Sequence, residues 1–324
     1  MTTRRHLLQA SGAAAIAHLA APALAATWPS RPLRIIVPFA PGGTSDTIAR
    51  LISKPLGDAL GSTVIVENKT GANGAIGAAA TAQSSDEHTM LLSDMSSLAI
   101  SPLVTKQMPY KPEELQGVTM LAYSPHLLVA TPSLAASNMK ELVALSKAKP
   151  VNVSSAGSGS ANHLGVVDIA LATGLRWQHV PFRGGAAALA DTAAGNTQLC
   201  LNGMLATLPL VQAGRLKIIG VSKKSRMALI ADVPTIAEQG VPGFESGTYQ
   251  GIAVPASLPA AAADRLATAL IAVIRSPELR ARMVAAGAEV MTSTPKETSA
   301  FLAGEGRRWA GVIQRAGAQL EGNA

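Results

Sequence analysis

Apolar positions along this chain follow two alternating patterns. Runs of strand length rich in Val, Ile and Leu occupy 33–38 (LRIIVP), 63–67 (TVIVE) and 89–92 (TMLL). After the first of them, Ile48, Leu51, Ile52, Leu56 and Leu60 recur at helical spacing, with Pro55 expected to kink that helix or end its regular part. Further strand-length runs fall at 118–121, 127–131, 151–154, 179–181, 198–201, 217–221 and 251–254, separated by helical patterns. One such pattern covers 139–147, with Ser137 as its expected N-cap. The tail predicts two helices, 261–287 and 295–316. Ser276-Pro277-Glu278 and Thr294-Pro295-Lys296-Glu297 supply start signals there, and Gly304 and Gly306 weaken the second helix. Strand–helix alternation of this kind predicts an α/β fold with a parallel sheet covered by helices. No repeat or low-complexity linker divides the chain, so two lobes here would be joined by strands passing between them.

The N-terminus carries a different pattern. Arg4-Arg5 precede an alanine-rich apolar run from Ala10 to Ala20, and small residues follow at Ala23-Leu24-Ala25. That order, charged then apolar then small, is the order of an export signal, and the paired arginines point to the twin-arginine route. His18 and Pro22 leave the run shorter than the roughly 20 apolar residues a membrane span needs. Cleavage after Ala25 and a periplasmic location are therefore expected.

Charge and cysteine content narrow the classes. The formal charge is +7; without Arg4 and Arg5, 25 basic residues face 20 acidic ones, scattered rather than in runs. Such a surface suits anionic solutes. It is a poor case for nucleic acid, because the few aromatics are not interleaved with arginine. Cys200 is the only cysteine, so no intramolecular disulfide is available, and its setting in Leu199-Cys200-Leu201 marks it as a small buried hydrophobe.

Four loops at predicted strand ends are candidates for chemistry. The first, Phe39 through Asp46, carries Gly42 and Gly43, which let the backbone approach a ligand, then Thr44 and Ser45 as hydroxyl donors at a helix start. Asp46 is either a cap for its own helix or an acceptor for a polar ligand group, and Phe39 is either a pocket wall or core. The second loop, Ser154 to His163, is small and hydroxyl-rich; His163 reads first as a helix-start hydrogen-bonding residue. It lacks the nucleophile-elbow pattern, and Asn162 stands where a dinucleotide fingerprint needs glycine. The third, Pro181 to Ala186, offers Arg183 as a carboxylate partner. In the fourth, Asn202 ends a strand and either serves a ligand or ties two loops. No histidine has metal-ligand spacing, no carboxylate pair flanks a glycine loop, and no cofactor motif is present. Neutral donors and helix starts recur instead, which fits holding an anion without transforming it.

In order and spacing these motifs resemble the substrate-binding proteins of tripartite tricarboxylate transporters, the Bug family. The resemblance runs from Trp28-Pro29-Ser30-Arg31-Pro32 and Val37 to Gly43, through Val66-Glu67-Asn68-Lys69, Gly71 to Gly77 and Val180 to Gly185, to Asp232-Val233-Pro234-Thr235 and on to Phe244. It implies a two-lobed periplasmic binding protein fold, type II-like, with the ligand cleft between the lobes. By that resemblance the first lobe holds 26–126 and 247–324 and the second 127–246, with crossings near Tyr123–Val129 and Gly247–Ile252. It also implies a ligand carboxylate at Phe39 to Asp46, with Ser155, Gly157, Ser158, His163, Arg183, Gly184 and Asn202 opposite. A small organic acid as ligand, membrane permease subunits as partners and a monomeric receptor follow from the same likeness. Departures cluster at the expected pocket. Ser93-Asp94-Met95-Ser96 replaces the usual Asn-Ala type of pair, Asp86-Glu87-His88 replaces Asp-Gly-Tyr, and Tyr249-Gln250 replaces an aromatic pair, so Asp94 and Tyr249 join the candidate site. Asp94 would repel a second ligand carboxylate. The competing readings are an organic-acid-metabolising enzyme on the same scaffold and a ligand-sensing receptor feeding a signalling partner.

Overall fold

A computed structural model describes residues 28–322; the expected leader, 1–25, lies outside the described residues. Strand–helix alternation builds two half-sheets that share strands. β1 (Leu33–Val37), β2 (Val64–Asn68) and β3 (Thr89–Asp94) are parallel, and β9 (Gly247–Pro255) runs antiparallel beside β3. β5 (Val151–Ser155), β6 (Trp177–Pro181) and β7 (Leu199–Gly203) form the second parallel set. β4 (Leu115–Ala130) links the halves, giving the order β2-β1-β3-β9-β4-β7-β5-β6, with β8 (Lys217–Val221) and β10 (Glu289–Val290) also on β4.

β4 is one strand where the pattern predicted two, 118–121 and 127–131. It pairs with β9 up to Pro125 and with β7 and β8 from His126 onward. Pro125 falls where partners change, so its missing N–H costs the ladder little. Neighbouring residues of β1 point to opposite faces: Ile35 joins a core under helices α1 (Thr44–Leu60), α8 (Ala260–Ile274) and α9 (Pro277–Ala285), while Ile36 packs against α2 (Ala75–Ala82). The second half is covered in the same way, by α5 (Ala161–Thr173) on one face and by α6 (Gly185–Ala193) and α7 (Met204–Gln212) on the other.

Helix boundaries correct the reading in three places and match it in a fourth. α1 continues through Pro55 to Leu60, its apolar face anchored in the core on both sides of the proline by Ile48, Ile52, Leu56 and Leu60. The cap of α4 (Met139–Ala148) is Asn138, whose Oδ1 accepts from the Glu141 N–H; the Ser137 N–H instead donates to the Glu141 carboxylate. The predicted 261–287 helix breaks at Ser276, where Pro277 starts α9 and the Ser276 hydroxyl makes no cap bond. α10 (Pro295–Ala316) matches the predicted 295–316, runs through Gly304 and Gly306, and starts from the expected Thr294–Glu297 capping box. Its early turns lie on α3 (Met95–Val104), with Ser96 Oγ donating to Glu305; its later residues Trp309, Val312 and Ala316 enter the core of the second half. Cys200 is fully buried, and burial pushes its thiol up to about 12. No helix of the described residues is long and apolar enough to cross a membrane.

Candidate functional site

In both half-sheets the helices leave from the C-terminal ends of the parallel strands, and these ends face one another. Such a crevice is where open α/β sheets bind ligands. Two glycine loops meet across it. A Cβ on Gly184 would lie 3.2 Å from the Ala40 N and 3.5 Å from the Phe39 Cβ, and one on Gly42 would reach the Ala186 methyl at 4.0 Å. Gly184 holds φ +118° and Gly42 φ +82°, so both positions also require glycine conformationally.

The cleft holds a cavity with about 390 Å³ of empty space, partly continuous with solvent. Of the residues expected at the site, Phe39, Gly43, Thr44, Ser45, Asp94 and Asn202 line it. Three helices begin here behind glycines that supply no side-chain cap: α1 behind Gly43, α6 behind Gly184 and α7 behind Gly203. Their first-turn N–H groups have no intrahelical partners and carry the positive ends of the helix dipoles. The Thr44 hydroxyl lies on this wall, 93 % of the residue being buried, and finds no hydrogen-bond partner. Gly203 makes room for it, since a Cβ there would sit 2.9 Å from Thr44 Oγ1 and 2.7 Å from Thr248 Oγ1.

The opposite wall is already internally bonded. Asn202 Oδ1 accepts from the Gly203 N–H and from Asn162 Nδ2, and its own Nδ2 donates to the Gly185 carbonyl, so this side chain ties three loops together while facing the cavity. Asp94 ends β3 and caps α3. Its Oδ1 accepts from the N–H groups of Ser96 and Tyr249, and its Oδ2 from Ser97 Oγ. Burial, with help from the nearby Glu305 charge, raises this carboxyl to about 7 against the pull of the Tyr249 N–H.

The remaining expected residues stand elsewhere. Asp46 is not among the residues lining the cavity: its carboxylate takes the Gly42 N–H, two Arg50 nitrogens and Asn68 Nδ2, and so braces the first loop. Ser155 Oγ is bonded to His179 Nε2 and accepts from the Gly157 N–H, fixing the second loop. His163 accepts at Nδ1 from the Gly159 N–H, pairs at Nε2 with the Leu320 carbonyl and stacks on His179 at 3.9 Å. With Ser158 it lines a separate hollow beside Asn73 and Lys106. Exposed Arg183 and half-buried Gly157 line an adjoining hollow next to Phe39. The Tyr249 ring packs on Tyr123 and Phe301, and only its N–H reaches toward the cleft through Asp94.

Sequence reasoning missed Ser97, Ala156, Asn162, Gly185 and Thr248 as cavity residues. Ala156, Asn162 and Gly185 lay inside loops already singled out. Thr248 is one residue from Tyr249, and neighbours on a strand face opposite ways. Behind Thr248 sits His126, bonded to Thr248 Oγ1 and Ser246 Oγ, its imidazole pushed down to about 3 by burial and the Arg308 charge. Among the described residues no group of three His, Cys, Asp or Glu side chains is placed to hold a metal.

Two lobes of α/β structure, joined by shared strands around a polar cleft, define the solute-binding protein fold. The chain belongs to the tripartite tricarboxylate transporter receptor family, whose model matches residues 48–318, and within it to the Bug group. It is 35% identical to the protein BugT of Bordetella pertussis over 312 residues, covering 95% of this chain and 96% of that one. Rpa4515 of R. palustris, solved with adipate, is 29% identical and superposes with a TM-score of 0.86, over 90% of this chain and 98% of that one. MatC of Rhodopseudomonas palustris, solved with bound malate, is 26% identical with a TM-score of 0.84, over 88% of this chain and all of that one.

Proposed function

We propose that this chain is a periplasmic solute receptor that captures a small organic carboxylate in its cleft and presents it to the permease subunits of a tripartite tricarboxylate transporter, without changing it chemically. One observation carries the reading: the unpartnered, buried Thr44 hydroxyl stands at the start of α1, which has no side-chain cap, on the wall of the interlobe cavity. Donors and dipole ends converging on one point suit an anion's oxygens. The adipate and malate held by Rpa4515 and MatC support the same class of ligand here. The ligand wall consists of Phe39, Gly43, Thr44 and Ser45 from one lobe, with Asn162, Gly185 and Asn202 from the other.

The first lobe comprises 26–126 and 247–324 and the second 127–246, with the end of α10 (Trp309, Val312 and Ala316) reaching across into the second lobe's core; closure requires the ligand to touch both lobes, since only differential affinity shifts the open and closed populations. The leader is removed near Ala25 after export through the twin-arginine route, and the receptor acts as a monomer. A thermal-shift screen of the mature protein against an organic-acid panel tests the proposal. A carboxylate at 100 times its Kd adds about 2.7 kcal/mol of stability, and it should be recovered unchanged by mass spectrometry. A panel without a single stabilising acid, or a bound acid recovered as product, would overturn it.

A further inference from the structure

The cavity wall carries one ionisable side chain, and it has the wrong sign for a carboxylate receptor. Asp94 is 97 % buried and lines the same cavity as Thr44 and Ser45. No lysine, arginine or histidine nitrogen among the described residues lies within ion-pair distance of it. Its neighbour in the fold, Glu305, differs in this respect: Arg308 pairs with Glu305 at 3.5 Å, and Ser96 Oγ and Trp309 Nε1 donate to it. A buried carboxylate without a counter-ion is costly in low dielectric. The two backbone N–H groups and the Ser97 hydroxyl that donate to Asp94 nevertheless favour its charged form. Those three donors leave lone pairs unused, because an ionised carboxylate has about four acceptor sites.

We infer that the solute carries an amino group as well as a carboxylate, with Asp94 receiving the ammonium while Thr44 and the start of α1 receive the carboxylate. The ligand class is a small zwitterionic amino acid instead of a plain di- or tricarboxylate. This inference rests on the carboxylate reading above and adds a charge requirement to it. A buried carboxyl without a counter-ion, an unpartnered hydroxyl and a helix start within one cavity form a two-pole site matched to a zwitterion, whose ammonium would hold Asp94 ionised, whereas a second carboxylate at the Asp94 pole would meet a group of its own sign.

Matched pairs of acids that differ only in the amine provide the test: succinate with aspartate, glutarate with glutamate, and butyrate with 2-aminobutyrate and 4-aminobutyrate. Titration calorimetry on the purified mature protein should give at least one amine-bearing member bound about tenfold or more tightly than its amine-free partner, a difference of about 1.4 kcal/mol. Asp94→Asn, which keeps an oxygen for the Ser96 N–H, should erase that preference while leaving the amine-free acid bound as well or better. Amine-free acids binding as tightly as their partners in wild type would overturn the role of Asp94 and leave the carboxylate reading intact. Absence of binding by every acid, with and without an amine, would sink both. If circular dichroism finds Asp94→Asn unfolded, the wild-type ratios decide the matter alone.

Discussion

Asp46 and Asp94 occupy comparable places. Each follows a strand of the first half-sheet and stands at the start of a helix, and each is almost wholly buried. Their surroundings part them. Asp46 sits over its own helix with Arg50 one turn on, and Asn68 closes over it from β2. Burial alone would raise its carboxyl; the hydrogen bonds from Arg50, Gly42 and Asn68 overcome that and hold it below the ordinary range. Asp94 has donors but no cation, and burial wins. One carboxylate is committed to the scaffold, and the other stands at the cavity without a counter-ion. The partner a side chain already has, more than its position in a motif, decides whether it is available to a ligand.

Removing the committed carboxylate should have the larger effect on stability. Asp46→Ala leaves the Gly42 N–H and Asn68 amide without an acceptor and releases Arg50, and hydrogen bonds to charged groups are worth about 1.5–3 kcal/mol. Urea unfolding at pH 7 should show a loss of about 2–3 kcal/mol. Because the folded value is depressed, this contribution is present above the unfolded value of 3.8 and disappears as pH falls through the folded one. Wild type and Asp46→Ala should therefore converge in stability as pH falls below 3.8 and through the depressed folded value. An unchanged midpoint at pH 7 would mean that the loop holds itself without this brace.

Asp94 should show the opposite sign. Its folded value is raised, so its contribution is complete below 3.8 and lost as pH rises through about 7. The group also faces Glu305, whose charge adds to the loss. Ligand-free wild type should lose at least about 1 kcal/mol relative to Asp94→Asn between pH 5 and 7.5. Parallel stability curves for the two proteins would mean that Asp94 is ionised at no net cost.

A third contrast is smaller and concerns binding. Thr44→Val removes the unpartnered hydroxyl while keeping the side chain's shape. Deleting a buried polar atom that has no partner leaves stability unchanged or raises it. Affinity for the acid giving the greatest thermal shift should fall by about fivefold to tenfold, equivalent to about 1 kcal/mol. Full affinity in Thr44→Val would remove the observation on which the carboxylate reading stands.

These contrasts also mark how far the sequence could be read. The alternation of Leu33–Val37, the glycine loop and the helix from Thr44 declared the α/β class, because period and turn chemistry are local properties. The Thr294–Glu297 box placed the start of α10 for the same reason. β4 escaped as a single strand because its continuity depends on a change of partners at Pro125, which no local pattern encodes. Within the site, the loops were legible and the pointing of side chains was not. Asp46 takes its bonds from Arg50 and Asn68, four and 22 residues away, and the second of these partners leaves no local signal. Thr248 gave no signal, since its place on the cavity comes from the register of β9 against β4.

Ser158 makes the smallest expected effect the most discriminating. The sequence places its hydroxyl and that of Thr44 in equivalent loops, glycine-rich and ahead of a helix, and either could serve a carboxylate. The structure separates them: Ser158 is exposed and lines the hollow beside Lys106, whereas Thr44 is buried on the cleft cavity. An exposed substitution away from a packed or bonded feature shifts stability by no more than about 0.5 kcal/mol. Ser158→Ala should therefore leave the unfolding midpoint in place and change affinity for the same acid by less than about twofold. A loss matching that of Thr44→Val would show that the ligand reaches past Phe39 and Asn73 into the second hollow, and the cleft would then have to be redrawn as one longer channel.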